Sequence, residues 1–181
     1  MTQQIIALAG ISGVGKTAFL NRLAQSVDFQ HVTGGSLIAA ARAAPPENRD
    51  AIRYADLDEN QQFLIEGFAL TRDPNAKIVV MDGHAVIDDG QRLSEIPCGV
   101  FEALDISVMV HLEGDPEQIV ANRRKDTSRS RPSYSVGVLE QHQEFSRAHA
   151  NLIADVLNIP FYVVTHNDID LLVGILKSRL A

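Results

Sequence analysis

The chain has 181 residues, of which 45% are hydrophobic, and a formal net charge of −7 at pH 7. Its length is sufficient for one domain with a single core, and its acidic balance argues against a general binder of nucleic acids or anionic membranes. The single cysteine, Cys98, excludes an intramolecular disulfide and a cysteine-rich zinc site. We expect no signal peptide and no membrane span, and we predict a cytoplasmic location.

Residues 10–17 match the phosphate-binding pattern G-x-x-x-x-G-K-[ST] at every defined position, with the sequence Gly10-Ile11-Ser12-Gly13-Val14-Gly15-Lys16-Thr17. The apolar residues before this loop predict a buried strand, and the residues after it have helical spacing. The glycines allow backbone N–H groups to surround an anion, and the helix N-terminus adds a favourable dipole. The loop therefore predicts a site for a nucleoside triphosphate, with Lys16 on the β- and γ-phosphates and Thr17 on Mg²⁺.

Strands alternate with helices along the chain. Strands are predicted at residues 5–9, 29–33, 77–82, 106–112 and 160–164. Helices are predicted at residues 18–24, 37–44, about 49–72, 116–124, about 136–157 and 169–180. This alternation predicts an α/β fold, in which a five-stranded parallel sheet carries helices on both faces and has its sites at the carboxyl ends of the strands. We expect residues 1–181 to form a single domain.

Two further predictions concern packing and loops. Residues 83–99 contain Gly, Pro and charged residues and predict an irregular working loop. The long helix predicted near the C-terminus is expected to pack through an apolar stripe, formed by Leu139, Phe145, Leu152 and Val156.

Asp82 ends the third predicted strand, beside the phosphate loop. A carboxylate at this position can hold Mg²⁺ directly or through water, although a solvated or helix-capping Asp has the same signature. His84 follows two residues later. It can contact a substrate phosphate or make a structural hydrogen bond, and the sequence favours neither.

Five basic residues fall within nine positions of this acidic chain, namely Arg123, Arg124, Lys125, Arg129 and Arg131. Phosphoryl transfer needs positioned cations that neutralise the charge developing on the transferred group. A short Arg-rich lid is therefore predicted at about residues 124–135, with an exposed basic turn or a protein-docking patch as the alternative.

A second phosphate site is predicted after the second strand. Gly34, Gly35 and Ser36 form a Gly-rich turn there, and Arg53 on the following helix can pair bidentately with a phosphate. The acceptor-binding segment is predicted at about residues 34–72.

The chain resembles the adenylate-kinase branch of the P-loop nucleoside monophosphate kinases, and it is most similar to the short-lid archaeal-type adenylate kinases. The resemblance covers nearly the whole length and is carried by the phosphate loop, Gly34-Gly35, Arg49-Asp50-Ala51-Ile52-Arg53, Val80-Met81-Asp82-Gly83-His84, residues 93–97, Arg123-Arg124 to Arg131, and Glu140-Gln141-His142-Gln143 with Arg147. The Asp-Gly-x-Pro-Arg segment of common bacterial adenylate kinases is absent, and the short lid lacks the cysteines of a zinc lid.

The resemblance implies two substrate sites. ATP would lie over Gly10, Ser12, Gly13, Val14, Gly15, Lys16 and Thr17, with its adenine near Arg123 and His166-Asn167. The acceptor would occupy a pocket of Gly34, Gly35, Ser36, Arg53, Asp82 and His84, with its base against residues 93–97. Arg129 and Arg131 would close on the transferred phosphoryl group.

The sequence therefore predicts a Mg²⁺-dependent ATP:nucleoside monophosphate phosphotransferase with AMP as the expected acceptor. The expected catalytic residues are Lys16, Arg123, Arg129 and Arg131, and the expected metal ligands are Thr17 and Asp82. A kinase for a nucleoside or small metabolite is an alternative, in which Asp82 acts as a general base. A regulatory nucleotide switch is another, although the chain has no Asn-Lys-x-Asp segment of the kind that reads guanine.

Overall fold

A computed structural model describes residues 2–44, 58–126 and 132–180. The strands are, in chain order, β1 (Gln4–Ala9), β2 (Gln30–Thr33), β3 (Ile78–Asp82), β4 (Val86–Asp88), β5 (Leu93–Glu95), β6 (Val108–Leu112) and β7 (Phe161–Val164). The helices are α1 (Lys16–Leu23), α2 (Gly34–Ala43), α3 (Glu59–Thr71), α4 (Cys98–Ala103), α5 (Pro116–Lys125), α6 (Val136–Leu157) and α7 (Ile169–Ser178).

Five strands form one parallel sheet in the order β2-β3-β1-β6-β7. The register pairs Leu8 of β1 with Asp82 of β3, and Ala9 with His111 of β6. The carboxyl ends of the strands therefore meet at one edge, with the phosphate loop at its centre. The predicted fold class is confirmed.

Each face of the sheet is covered by helices, which explains why the central strands are almost continuously apolar. On one face, Phe19 and Leu23 of α1 and Leu172 of α7 belong to one buried cluster. On the other face, Leu37 of α2 and Ile153 of α6 belong to a second cluster with residues of α3 and α4.

The prediction of an irregular loop at residues 83–99 is wrong. The segment contains an antiparallel hairpin, in which β4 pairs with β5, and then α4. The turn of the hairpin is held locally, because Asp88 and Asp89 accept hydrogen bonds from backbone N–H groups of the turn and Gly90 adopts a positive φ of 88°. Strands of three residues carry too little periodicity to be recognised from sequence.

The packing face predicted for α6 is also wrong. Phe145, Leu152 and Val156 are 41%, 49% and 61% exposed, and of the predicted stripe only Leu139 is buried. The helix instead buries a mixed face that includes Gln143, Ser146, His149 and Ile153. This face can be buried because its polar side chains find hydrogen-bond partners on the sheet and on nearby loops.

Helix α2 begins three residues earlier than predicted. Thr33 caps it, since its side chain accepts a hydrogen bond from the Ser36 N–H while the Ser36 hydroxyl accepts one from the Thr33 N–H. Gly34, Gly35 and Ser36 are therefore the first turn of a helix rather than a separate turn.

The start of α5 is as predicted. Asp115 is its N-cap and Pro116 is its first helical residue.

The contact between α2 and α3 generates a stability prediction. A Cβ atom on Gly67 of α3 would lie 1.9 Å from the backbone oxygen of Leu37, so Gly67→Ala must push the two helices apart. We expect a loss of about 1–3 kcal/mol in the free energy of unfolding, measured by urea titration. Gly174→Ala in α7 is the matched control, because a Cβ there meets nothing within 4 Å, and it should stabilise by up to about 1 kcal/mol. Equal unfolding midpoints for the two variants would contradict this account.

Candidate active site

The phosphate loop requires glycine at two positions for two separate reasons. Gly13 and Gly15 have φ angles of 91° and 94°, which L-residues with side chains rarely adopt. A Cβ on Gly13 would also lie 2.8 Å from Cγ of Arg123, and one on Gly15 would lie 3.0 Å from the ring of His166. The backbone of the loop is thus in close contact with side chains on both of its sides.

Side chains from several elements hold the carbonyl groups of the loop. The Gly10 oxygen accepts hydrogen bonds from Lys16 Nζ and His84 Nδ1, both at 2.9 Å. The Ser12 oxygen accepts one from Arg123 Nε at 2.8 Å, the Gly13 oxygen one from Asn122 Nδ2 at 2.9 Å, and the Val14 oxygen one from His166 Nε2 at 2.8 Å.

These contacts orient the backbone for anion binding. In a trans peptide the N–H points away from the carbonyl of the same peptide unit, so an anchored carbonyl fixes the direction of the amide that follows it, and amides of such loops line an anion-binding concavity. The Val14 N–H is engaged within the loop, where it donates to the Ile11 oxygen at 3.3 Å. The first turn of α1 begins at Lys16, directly after the loop, and adds its N–H groups and dipole to the same concavity.

Asp82 lies beside the loop because the β1–β3 register places it opposite Leu8. Its Oδ1 is 4.0 Å from Lys16 Nζ and its Oδ2 is 3.6 Å from His31 Nε2. The side chains of Asp82 and Lys16 are both largely buried. Thr17, the second residue of α1, is exposed at the same edge.

The donor set near the loop fits Mg²⁺ carried by a phosphate better than a metal held by protein alone. In the described part of the chain no three His, Cys, Asp or Glu side chains form a cluster that could hold an ion. The Asp82 carboxylate and the Thr17 hydroxyl are hard oxygen donors, which suits a Mg²⁺ ion that completes its shell with phosphate oxygens and water.

Three of the residues predicted for the acceptor, Gly34, Gly35 and Ser36, form the first turn of α2, directly after the neighbouring strand β2. Thr33 pairs with Asp82 in the β2–β3 register, so the first turn of α2 lies next to Asp82 at the same edge of the sheet. A Cβ atom on Gly35 would meet nothing within 4 Å, so the surface of this residue is open. The Ser36 hydroxyl is engaged in the cap. Arg53, Arg129 and Arg131 lie outside the described residues.

Two cavities flank the phosphate loop. The larger has a volume of about 530 Å³ and lies at the carboxyl ends of β6 and β7. It is lined by Val14, Glu113, Gly114, Asp115, Gln118, Ile119, Asn122, Thr165, His166 and Asn167. The smaller, of about 220 Å³, lies between the loop, the β4–β5 hairpin and α6, and is lined by Ile11, Ser12, His84, Val86, Ile87, Asp88, Leu93, Arg123, Pro132 and His142. Of the predicted base contacts at residues 93–97, Leu93 lines this cavity, whereas Ile96 is buried in the core.

A polar cluster that the sequence analysis missed supports the floor of the site, and its His111, Gln143 and Ser146 are buried whereas Arg147 is 43% exposed. His111 Nε2 contacts Ser146 Oγ at 3.0 Å, and Arg147 donates to Glu113 Oε1 at 2.9 Å. The Gln143 amide accepts from the Gly114 N–H and donates to the Gly114 oxygen, both at 2.9 Å. Gln143, Ser146 and Arg147 have the i, i+3, i+4 spacing of one helical face, which was the available signal.

His111 is neutral at physiological pH. Burial lowers its pKa from the ordinary 6.5 to about 4, with smaller contributions from the positive charges of Arg147 and Lys16. Its Nδ1 lies 3.5 Å from Glu113 Oε1 and makes no hydrogen bond with any described residue.

Comparisons with known proteins agree with this geometry. A family model described as an AAA domain matches residues 9–140. An adenylate kinase of Thermoplasma acidophilum is 31% identical over 146 residues, 79% of each chain, and one of Methanothermobacter thermautotrophicus is 26% identical over 183 residues, 98% of this chain and 99% of that one. A crystal structure of an uncharacterized protein from Eubacterium ventriosum has a TM-score of 0.53 at 9% identity, covers 98% of each chain, and shows the fold alone.

The chain belongs to the adenylate kinase-like P-loop kinases. It is accordingly a phosphotransferase enzyme with a nucleotide-binding P-loop, as the sequence predicted. No helix within the described residues is both long and apolar enough to cross a membrane.

The buried histidine predicts a pH-dependent stability. His111 protonates with a pKa near 6.5 when unfolded and about 4 when folded, so its contribution is present above pH 6.5 and is lost as the pH falls towards 4. This loss is on the order of 3 kcal/mol. The His111→Gln variant should therefore lose less stability than the wild type between pH 7 and pH 4.5, as measured by urea titration. Ser146→Ala keeps the ring and should retain the wild-type slope. Equal slopes for His111→Gln and the wild type would refute the assignment.

Proposed function

We propose that this kinase transfers the γ-phosphoryl group of ATP to a nucleoside monophosphate, with AMP as the acceptor, in a Mg²⁺-dependent reaction. The observation that carries the proposal is the position of the phosphate loop between two cavities, with the first turn of α2 beside it at the same sheet edge. The similar adenylate kinases, which the chain covers over 79% or more of their length, support the same reaction.

On the donor side, the triphosphate would lie in the loop formed by Gly10, Ser12, Gly13, Val14, Gly15, Lys16 and Thr17. The larger cavity would receive the adenine, since it adjoins the loop at Val14 and is bounded by His166 and Asn167. Gln143 would act indirectly here, because it fixes both backbone groups of Gly114 in the wall of that cavity.

The metal would be held between the donor and Asp82. The Thr17 hydroxyl and the Asp82 carboxylate are the protein groups that fit it, with phosphate oxygens and water as the remaining ligands. When bound, Mg²⁺ neutralises charge on the β- and γ-phosphates. Lys16 lies on the same side, with Nζ 4.0 Å from Asp82 Oδ1, and supplies a mobile cation to the transferred group.

On the acceptor side, the phosphate would bind at the N-terminal turn of α2, formed by Gly34, Gly35 and Ser36, close to His84. Helix N-termini bind anions through their N–H groups and dipole, and an open Gly35 surface permits close approach. A phosphate nucleophile needs no strong base, so Asp82 is available for the metal. We also propose that Arg53 binds the acceptor phosphate. The transferred phosphoryl group would be contacted by Arg123, Arg129 and Arg131. We further propose residues 34–72 as the acceptor segment and residues 124–135 as the lid.

A coupled assay tests the acceptor directly. We expect Mg·ATP to phosphorylate at least one of AMP, CMP, UMP, GMP and the deoxynucleoside monophosphates, with AMP preferred, and we expect EDTA to abolish turnover. Transfer only to a nucleoside or a metabolite hydroxyl would replace this function by the small-acceptor kinase. ATP hydrolysis without transfer to any acceptor would point instead to a nucleotide switch.

The phosphate-loop lysine gives a second prediction. Lys16→Ala removes the cation that donates a hydrogen bond to the Gly10 oxygen and lies beside Asp82. Stabilisation of the transition state should therefore fall by roughly 3 kcal/mol, which lowers kcat about a hundredfold. Lys77→Ala removes an exposed lysine just before β3 and is the matched control, with turnover expected to stay near the wild type. Near-normal turnover of the Lys16→Ala variant would exclude its catalytic role.

A further inference from the structure

We propose that the outer face of α6 is a docking surface for a basic amphipathic helix of a partner protein. The surface consists of an exposed apolar row, Phe145, Leu152 and Val156, with carboxylates on both of its flanks, and this row is called the outer stripe of α6. These three residues line neither cavity beside the phosphate loop, so the role of the surface does not depend on the proposed function.

The outer stripe is one continuous row along the helix. Phe145, Leu152 and Val156 have the spacing i, i+7, i+11, which at about 3.6 residues per turn places them within about 40° of one another around the helix axis. At about 1.5 Å per residue, the row is about 16 Å long. Ala148, which is also exposed, lies on the same side and adds no polar group. A row of this spacing is the pattern through which two helices pack along each other.

The outer stripe is not covered by any element that the structure describes, because all three of its side chains are exposed. The opposite face of α6 supplies the buried side chains, and Ile153 and Ala154 there belong to the core cluster. A helix on the surface of a globular domain normally turns polar residues outward. Large apolar side chains take that position here, and their concentration in one row marks an interaction site.

One flank of the outer stripe is acidic. Glu144 and Asp155 are eleven positions apart, which is close to three helical turns, so both carboxylates lie on the same side of the row. Both residues are exposed, and neither forms an ion pair with a described residue, although Asp155 accepts a hydrogen bond from Asn151 at 3.1 Å. The single Lys or Arg of α6, Arg147, is directed away from the stripe and donates to Glu113 at 2.9 Å.

The other flank carries a carboxylate from β5. His149 lies four residues after Phe145, on the side of the row opposite Glu144, and it is buried. Glu95 Oε1 is 3.6 Å from His149 Nδ1, and the Glu95 side chain is 52% exposed. Acidic groups therefore border the outer stripe on both sides, in a chain whose net charge is −7.

The charge pattern identifies the occupant. A helix with apolar residues at i, i+3, i+4 and i+7 and with Lys or Arg on both flanks would cover the stripe and place cations against Glu144, Asp155 and Glu95. A second copy of this chain is disfavoured, because the acidic flanks place carboxylates against carboxylates in either orientation of two paired α6 helices. The same charges repel an anionic membrane.

A designed peptide tests the surface. The probe is a fluorescein-labelled helix of about 18 residues, with leucines at i, i+3, i+4 and i+7 and lysines elsewhere, and its counterpart carries glutamates in place of the lysines. We expect the lysine peptide to bind the full chain saturably with one-to-one stoichiometry, as measured by fluorescence anisotropy at about 0.15 M salt. The glutamate peptide should not bind.

An apolar pair of substitutions locates this binding on α6. Phe145→Gln combined with Leu152→Gln should weaken the affinity for the lysine peptide by about tenfold or more, because it removes the centre of the apolar row. Leu171→Gln on α7 is the matched control, since Leu171 is comparably exposed but lies on another helix. It should keep the wild-type affinity.

A charge-reversing pair tests the acidic flank. Glu144→Lys combined with Asp155→Lys should also weaken the affinity by about tenfold or more. Asp28→Lys combined with Asp170→Lys makes the same change in net charge at exposed positions outside α6, and it should have a much smaller effect. This control separates binding at the outer stripe from general attraction of a cationic peptide to an acidic protein.

The outcomes distinguish the possible occupants of the surface. Unchanged affinity in both α6 variants, or equal binding of the two peptides, would refute the proposal. A dimer of the wild type in sedimentation velocity, dissociated by Phe145→Gln with Leu152→Gln, would replace the partner helix by a second copy. Binding to phosphatidylglycerol vesicles that is lost in that variant would assign the surface to a membrane instead. The comparison of the two peptides on the wild type needs no variant, so it remains decisive even if a variant does not fold by circular dichroism.

Discussion

The site depends first on the hydrogen bonds that hold the carbonyl groups of the phosphate loop. Lys16 and His84 hold the Gly10 oxygen, and other side chains hold those of Ser12, Gly13 and Val14, with distances of 2.8–2.9 Å. One backbone hydrogen bond lies within the loop, from the Val14 N–H to the Ile11 oxygen, and the side-chain hydrogen bonds to the other carbonyl groups fix its shape before a ligand arrives. Preorganised amides bind a phosphate without the cost of ordering the loop at that moment.

The sheet order explains why this loop faces two cavities. Strand β1 lies between β3 and β6, so the loop that follows it is flanked by the segments after those two strands. On the β3 side these are His84 and the hairpin, and on the β6 side the backbone around Gly114. A parallel sheet brings all these ends to one edge, and the register places Asp82 next to the loop. Two substrates can thus approach one phosphate-binding loop from opposite sides.

Local signals were sufficient for much of this architecture. The five strands of the sheet, the loop and the Asp115 cap all carry their information within a few neighbouring residues, and each could be predicted from sequence. The hydrogen bonds from Asn122 and His166 to the loop carbonyl groups could not be predicted, because both residues are distant from the loop in sequence and become its neighbours only after folding. The hairpin was missed because its two strands have only three residues each and therefore carry too little periodicity. Arg53, Arg129 and Arg131 remain predictions.

Helix α6 shows why an apolar stripe alone does not identify a buried face. Burying Gln143, Ser146 and His149 without partners would cost more than exposing Phe145 and its apolar neighbours, but each of the three polar side chains makes a hydrogen bond at 2.8–3.0 Å. The orientation that satisfies them also places two consecutive residues at different cavities. His142 lines the smaller one, while Gln143 fixes Gly114 in the wall of the larger. A shift of this helix would therefore alter both cavities together, which links the polar face of α6 to the two sides of the phosphate loop.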